Sequence, residues 1–238
     1  MNAFLKTGIL IGIFSVAMAA LEAAVVVYLR ALYYPGGFTV NFKLVDERIV
    51  AVEIVRELAT LVMLASVGYI AGRRFKDRLA WFLLSFAIWD IFYYAWLKVF
   101  IGWPLTFLDW DILFLVPITW IGPVAAPLIC SLTMIVLGLV LLRWELSIPK
   151  KVWTLILAGV VLILFTFIRD YAALIITNNL VAEFPNLLHH ELFLKKAAEL
   201  VPMPYLWSIF WMGQGLLLAG ILLLVKNRGS KFRTLSAA

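Results

Sequence analysis

The chain has 238 residues, 65% of them hydrophobic and 14% charged, with a mean hydropathy of +1.03. Soluble domains run at about 45–50% apolar and about 25% charged, so this composition excludes a soluble enzyme or a free nucleic-acid-binding module. The net charge of +6 belongs to membrane topology rather than to a nucleic-acid partner, and the single cysteine, Cys130, leaves no intramolecular disulfide and no Cys-rich metal site.

A helix needs roughly 20 apolar residues to cross a bilayer. Six stretches meet that need, at about 7–30, 49–72, 79–101, 119–142, 152–177 and 204–225. The expected fold is all-α: one transmembrane domain over 1–238, a polytopic bundle of six helices. The first stretch begins like a signal peptide, with Lys6 and Ala17-Met18-Ala19. Its apolar run continues to Leu29, longer than a signal core of about 7–15 residues, so a retained first helix is expected. Its Ala19, Ala20, Ala23 and Ala24 make a small-residue surface for close helix packing.

Loop charges give an orientation. Lys6, Arg73, Arg74, Lys76, Arg78, Arg143, Lys150, Lys151, Lys226, Arg228, Lys231 and Arg233 fall on one side. Arg30, Lys43, Arg48, Lys98, Lys195 and Lys196 fall on the other. The positive-inside rule then puts both termini in the cytoplasm. The expected address is a prokaryotic cytoplasmic membrane.

The long connections lie outside. Residues 31–48 hold the turn Tyr33-Tyr34-Pro35-Gly36-Gly37. Residues 102–118 are mostly apolar yet contain Pro104, Asp109, Asp111 and Pro117, which suggests an interfacial or re-entrant segment tolerated only when buried in protein or lining a wet cavity. Residues 186–200 alternate leucines with His189, Glu191, Lys195, Lys196 and Glu199, the pattern of an amphipathic surface helix. Pro117, Pro123 and Pro127 bend or break the outer half of the fourth helix.

Charges inside the spans are costly and are functional candidates by default. At about 1.5 Å per residue, Glu22 and Glu57 lie about 12 Å below the outer ends of their helices and Asp90 roughly 16 Å. Arg169 and Asp170 lie about 12–13 Å down on the same count, and Gln214 about ten residues into the last helix. Glu53, Arg56 and Glu57 share a helix face, as do Asp90, Tyr93 and Tyr94, with Lys98 one turn above. Glu22, Arg30, Glu53, Arg56, Glu57, Trp89, Asp90, Tyr94, Lys98, Asp111, Arg169, Asp170, Trp211 and Gln214 therefore form the candidate cavity set. Ion pairs that merely hold helix register, such as Arg56–Glu53, Arg169–Asp90 or Lys98–Asp111, are the plain alternative. Arg169 and Asp170, adjacent and about 100° apart on their helix, are expected to need separate partners. Glu22 and Asp90 have no base within one turn and are the best acid/base candidates.

Other chemistry is weakly signalled. His189-His190-Glu191 lacks metal-ligand spacing and reads as a solvated face. No HExxH, phosphate loop or nucleotide fingerprint occurs, so no cofactor can be named, and no metal is expected. Gly213-Gln214-Gly215 reads as close helix packing. Most of the ten tryptophans belong to an interfacial belt; Trp89 and Trp211 are deeper. Six helices, both termini inside, an outer pocket and an alanine-rich first helix give a layout similar to the substrate-binding membrane subunits of energy-coupling-factor importers. The likeness is architectural, with no ligand motif matched residue by residue.

Three functions are compatible with these residues. The leading one is a small-molecule or ion transporter, or its membrane-embedded binding subunit. The second is an intramembrane enzyme acting on a lipid or isoprenoid, with Arg30, Arg56 or Lys98 set for an anionic head. The third is an assembly subunit with every charge paired and no pocket. Expected partners are membrane lipid, a small-molecule, ion or lipid ligand, and a membrane or cytoplasmic protein; nucleic acid is not expected.

Overall fold

In the computed structural model, residues 3–34, 47–144 and 148–226 are described. The turn at Pro35–Gly37, Lys43 and the tail bases Arg228, Lys231 and Arg233 lie outside that set. The chain is mostly helical. Its elements run α1 (Ala3–Tyr33), α2 (Glu47–Ala71), α3 (Phe75–Ile101), β1 (Trp110–Phe114), β2 (Trp120–Pro123), α4 (Ala125–Arg143), α5 (Lys150–Thr177), a 3-10 helix (Phe184–His189), α6 (Glu191–Ala198) and α7 (Trp207–Lys226).

Five helices, α1, α3, α4, α5 and α7, are long and apolar enough to cross a membrane. Large apolar side chains such as Ile13, Leu21, Ile70, Val161 and Leu222 project outward; a belt of that kind suits lipid rather than water. These features make the chain an integral membrane protein. α2, which the hydropathy reading counts as a further span, is not among the five. It carries Glu47, Arg48, Glu53, Arg56 and Glu57 within its first three turns.

Two halves build the bundle. α1, α2 and α3 pack together on one side, α4 packs on α3 and α7, and α5 packs on α7. Ala19 and Ala23 are fully buried, against Trp89 and Leu64 and against Tyr94 and Leu97 respectively. Small side chains there let α1 approach α3, and the Trp96 indole N–H reaches the Val16 carbonyl at 3.1 Å. In the other half, a Cβ on Gly213 would meet the Gly159 carbonyl at 2.8 Å. Only glycine allows that backbone approach of α5 to α7. Gly215 has nothing within 4 Å, so only the first glycine of Gly213-Gln214-Gly215 serves helix packing.

The two ends of the bundle differ. One end gathers Ile11, Trp81, Leu142, Val152 and Leu224, together with Ala71, Trp144 and Ile148, into one core. The Lys6, Arg73, Arg74, Lys76, Arg78, Arg143 and Lys150 positions lie at this end, and Lys76 donates to the Trp144 carbonyl at 2.6 Å. The opposite end is closed by irregular structure. α3 stops at Gly102, which takes a left-handed φ of 70° and returns its N–H to the Lys98 carbonyl.

That closing structure departs from an all-α fold. β1 and β2 pair antiparallel, with Trp110 opposite Pro123, Asp111 opposite Gly122 and Ile112 opposite Ile121. The fourth helix consequently starts at Ala125 rather than at 119, because residues 120–123 are strand. The physical reason is local: Pro117 and Pro123 disfavour a helix running through them, while Trp110, Ile112, Phe114, Trp120 and Ile121 suit a pleated, half-buried surface. The segment 186–200 is likewise not one helix. A 3-10 turn precedes an eight-residue α6, and Leu187, Phe193 and Ala197 are buried against Ile121, Tyr171 and Leu174. Leu192, expected on the apolar face, is exposed.

Candidate functional site

A cavity of about 430 Å³ lies between the two halves. All six long helices and both strands line it. Its two ends differ in chemistry. Toward the hairpin stand Glu22 and Arg30 of α1, Glu53, Arg56 and Glu57 of α2, and Asp90, Tyr93 and Tyr94 of α3. Toward the basic end the walls are Leu83, Met134, Leu137, Val160, Leu164 and Leu217. Along α3 the lining runs from Leu83 to Tyr94, about 17 Å at 1.5 Å per residue. The space is thus long, polar at one end and apolar at the other.

The polar end is held by contacts between elements. Arg56 bridges two carboxylates: it is paired with Glu22 across the α1–α2 interface, and its Nε donates to Glu53 one turn back at 2.7 Å. The Thr60 hydroxyl donates to the other Glu22 oxygen at 3.1 Å. Glu57 accepts the Leu115 backbone N–H at 2.8 Å, tying α2 to the hairpin. Arg30 meets Asp111 at 3.0 Å and covers the Trp103 ring at 3.8 Å, tying α1 to the same hairpin. Asp90 accepts the Ser131 hydroxyl at 2.7 Å across the α3–α4 seam. The hairpin therefore roofs the cavity, with Ile112, Leu113, Phe114 and Trp120 turned to it. Gly122 fits against Phe167, whose ring a Cβ there would meet at 3.1 Å.

Of the fourteen residues expected at a common site, eight line this cavity: Glu22, Arg30, Glu53, Arg56, Glu57, Trp89, Asp90 and Tyr94. Asp111 sits just behind it as the Arg30 partner and is buried. The other five stand elsewhere. Lys98 does not reach Asp111; it is exposed and donates to the Gly102 and Pro104 carbonyls at 3.0 and 2.7 Å. Arg169 and Asp170, expected to need separate partners, bond to each other at 2.9 Å. Adjacent helical residues diverge at Cβ, but a guanidinium on a long stem bends back far enough. Asp170 also accepts the Met203 N–H at 2.9 Å, and Arg169 reaches the Pro204 carbonyl at 3.2 Å, so this pair pins the segment before α7. Gln214 is buried between α7 and α4, accepting from Thr133 at 2.9 Å and donating to the Cys130 sulfur at 3.3 Å. Trp211 is exposed on the outer surface beside Trp207.

Several contributors went unseen in the sequence. Thr60 is one turn beyond Arg56 and Glu57 on α2, and that spacing could have pointed to it. Ser131 is one of two hydroxyl residues, with Thr133, in an otherwise apolar run, which is a weaker signal. The Leu115 amide and the apolar walls carry no chemical signature at all. Among the described residues no group of three His, Cys, Asp or Glu is arranged to hold a metal ion.

Outside the spans, Asp109 shapes the turn before the hairpin. Its oxygens accept the Leu105 N–H at 2.7 Å and the Thr106 hydroxyl at 2.7 Å. Slight desolvation works the other way, but these bonds hold its carboxyl below the usual carboxylate range.

No family model, curated protein or solved structure matches the chain. The reading of its role rests on the geometry above.

Proposed function

We propose that the chain binds an amphiphilic small molecule inside the membrane, as a transporter or as the membrane-embedded substrate-binding subunit of one. One observation carries this reading: the cavity grades from a charged end under the hairpin to an apolar end about 17 Å away along α3. An ion alone needs no apolar half. A purely apolar guest would not repay the desolvation of the acidic residues. A register-fixing assembly subunit needs no cavity.

The same reading includes a topology. α2 completes six spans, its charged turns facing the cavity rather than lipid. Both termini are cytoplasmic, because the Lys6, Arg73, Arg74, Lys76, Arg78 and Arg143 end is the basic one. The hairpin and α6 then lie on the outer side of a prokaryotic cytoplasmic membrane. The way in is lateral: α2 and α5 both line the cavity, yet α2 packs on α3 and α1 while α5 packs on α7, β2 and α6. A guest entering between α2 and α5 from the outer leaflet would meet the charged end first. The basic cytoplasmic loops are where a protein partner would dock.

A second reading is an enzyme acting on a lipid or isoprenoid. Asp90 with the Ser131 hydroxyl 2.7 Å away lines the cavity and could exchange a proton with a bound head group.

Native mass spectrometry of the purified protein, released from detergent in the gas phase, tests the leading reading. A retained guest of a few hundred daltons is expected, and the cavity-filling Met134→Trp variant should lose it while keeping its thermal stability. An unliganded mass in both proteins contradicts the proposal. A guest recovered chemically altered after incubation, and unaltered with Asp90→Asn, favours the enzyme.

A further inference from the structure

The charge balance at the polar end leads further. Four carboxylates line the cavity, Glu22, Glu53, Glu57 and Asp90, together with Arg30 and Arg56. Arg30 is matched by Asp111 behind the wall. Arg56 is shared by Glu22 and Glu53. Among the described residues, Asp90 is left with a neutral partner only, the Ser131 hydroxyl, while Glu57 accepts the Leu115 N–H and lies near the Arg56 charge that Glu22 and Glu53 already share. Lys98, the remaining base near this end of α3, is exposed and turned to the Gly102 and Pro104 carbonyls. The cavity surface is therefore acidic in excess, and its two arginines are already engaged by carboxylates. That argues against an anionic head, which the arginines alone had suggested.

An independent feature points to a polar guest at the same level. Trp89 precedes Asp90 on α3, is 5% exposed and lines the cavity. Its indole N–H is buried and has no hydrogen-bond partner among the described residues. A buried donor left unmade costs free energy, and a guest atom that accepts from it removes that cost. The Trp120 indole N–H, on the hairpin side of the cavity, likewise finds no partner among the described residues. The aromatic surface continues through Phe86 and Tyr93, whose rings stand 5.3 and 6.2 Å from Trp89. Aromatic faces next to a carboxylate without a cationic partner form the surroundings that bind organic ammonium groups.

Resting on the amphiphile reading above, we infer that the guest carries a cationic amine head, its ammonium set between Glu57 and Asp90 and a neighbouring oxygen accepting from Trp89, with its chain running down the apolar end. The ammonium supplies the charge that Asp90 lacks, and that three glutamates otherwise draw from Arg56 alone, in a water-poor site. The accompanying oxygen narrows the class to amino-alcohol or amide-bearing amphiphiles.

The test uses the full-length protein in nanodiscs and three probes of one chain length. These are ω-bromododecyl chains ending in an ammonium, a hydroxyl or a sulfate. The bromine isotope doublet marks retained probe in native mass spectra, titration ranks the affinities, and retention by the Met134→Trp variant, whose cavity is filled, corrects for partition into lipid. The ammonium probe should bind about tenfold more tightly than the alcohol, the margin of a hydrogen bond to a charged group, and the sulfate most weakly. Glu57→Gln with Asp90→Asn should erase the preference and leave alcohol binding in place. Equal binding of ammonium and alcohol by the wild type, or tighter binding of sulfate, overturns the amine assignment and leaves the amphiphile reading standing. If none of the three probes is displaced by Met134→Trp, the amphiphile reading itself falls. The wild-type ranking alone decides the matter should the double variant fail to fold.

Discussion

Arg56 and Arg169 look alike in the sequence: each is an arginine in the half of its helix nearer the hairpin, beside a carboxylate. The structure gives them different work. Arg56 joins α1 to α2 through Glu22 and Glu53 at the wall of a cavity. Arg169 closes on its own neighbour Asp170 and on the Pro204 carbonyl, pinning a connection outside that cavity. Depth along a helix places a charge at a level. Only the face it occupies, and the helix opposite, decides whether it becomes part of a site. The α1–α3 half spends its charges on lining a space; the α5–α7 half uses them to fasten a loop.

The first way to break this comparison is to remove each arginine. Arg56→Leu strands Glu22 and Glu53 together at one interface and should cost about 3 kcal/mol, the low end for breaking a buried pair because Arg56 is partly exposed. Arg169→Leu leaves Asp170 its Met203 N–H bond and should cost about 1 kcal/mol. Thermal unfolding in detergent measures both, and equal losses would erase the distinction. A second variant probes what holds the α5–α7 half. Gly213→Val drives a side chain into the Gly159 carbonyl and should cost about 2 kcal/mol by overpacking, with the charged end of the cavity, lined by α1, α2 and α3, still accepting an amphiphile head. Loss of binding at full stability would show that the halves are not independent.

A smaller change sharpens the picture at the seam. Ser131→Ala removes the hydrogen bond that Asp90 accepts and should cost about 1 kcal/mol, while strengthening any preference for an ammonium probe, since Asp90 then has no other partner among the described residues. The smallest expected effect lies in the turn before the hairpin. Asp109 has its carboxyl pKa depressed on folding, so its contribution is present above the unfolded value of about 4 and fades as pH falls through the lower folded value. Amide hydrogen-exchange protection at Leu105 and Thr106 should drop in that acid window, with α3 unchanged. Protection independent of pH there would rule out the carboxylate as the anchor.

Much of the helical frame was legible before any coordinates. Long apolar runs pointed to the five helices long and apolar enough to cross a membrane, and the alanines of α1 marked a close-packing face, which α3 occupies. The hairpin was not legible as such: residues 102–118 were recognisably irregular, but an apolar run through Trp120 and Ile121 reads as helix until Pro123 is given its weight. The α2 face was legible because Glu53, Arg56 and Glu57 fall at one-turn spacing. The separation of Arg169, Asp170 and Gln214 from that face was not, because depth carries no azimuth. Nor could any pattern of residue types show the apolar end of the cavity, whose Met134, Leu137 and Val160 differ in no chemical way from residues that face lipid.

The account's central claim is that one amphiphile lies in this cavity with its head under the hairpin. Its most direct test is the anomalous signal of bromine in crystals grown with the ω-bromododecyl ammonium probe. The account predicts one strong peak among Met134, Leu137 and Val160, with density leading from it up to Asp90 and Glu57. Bromine found only on the outer, lipid-facing surface, or lodged beside Arg56 with the head at the apolar end, would contradict it.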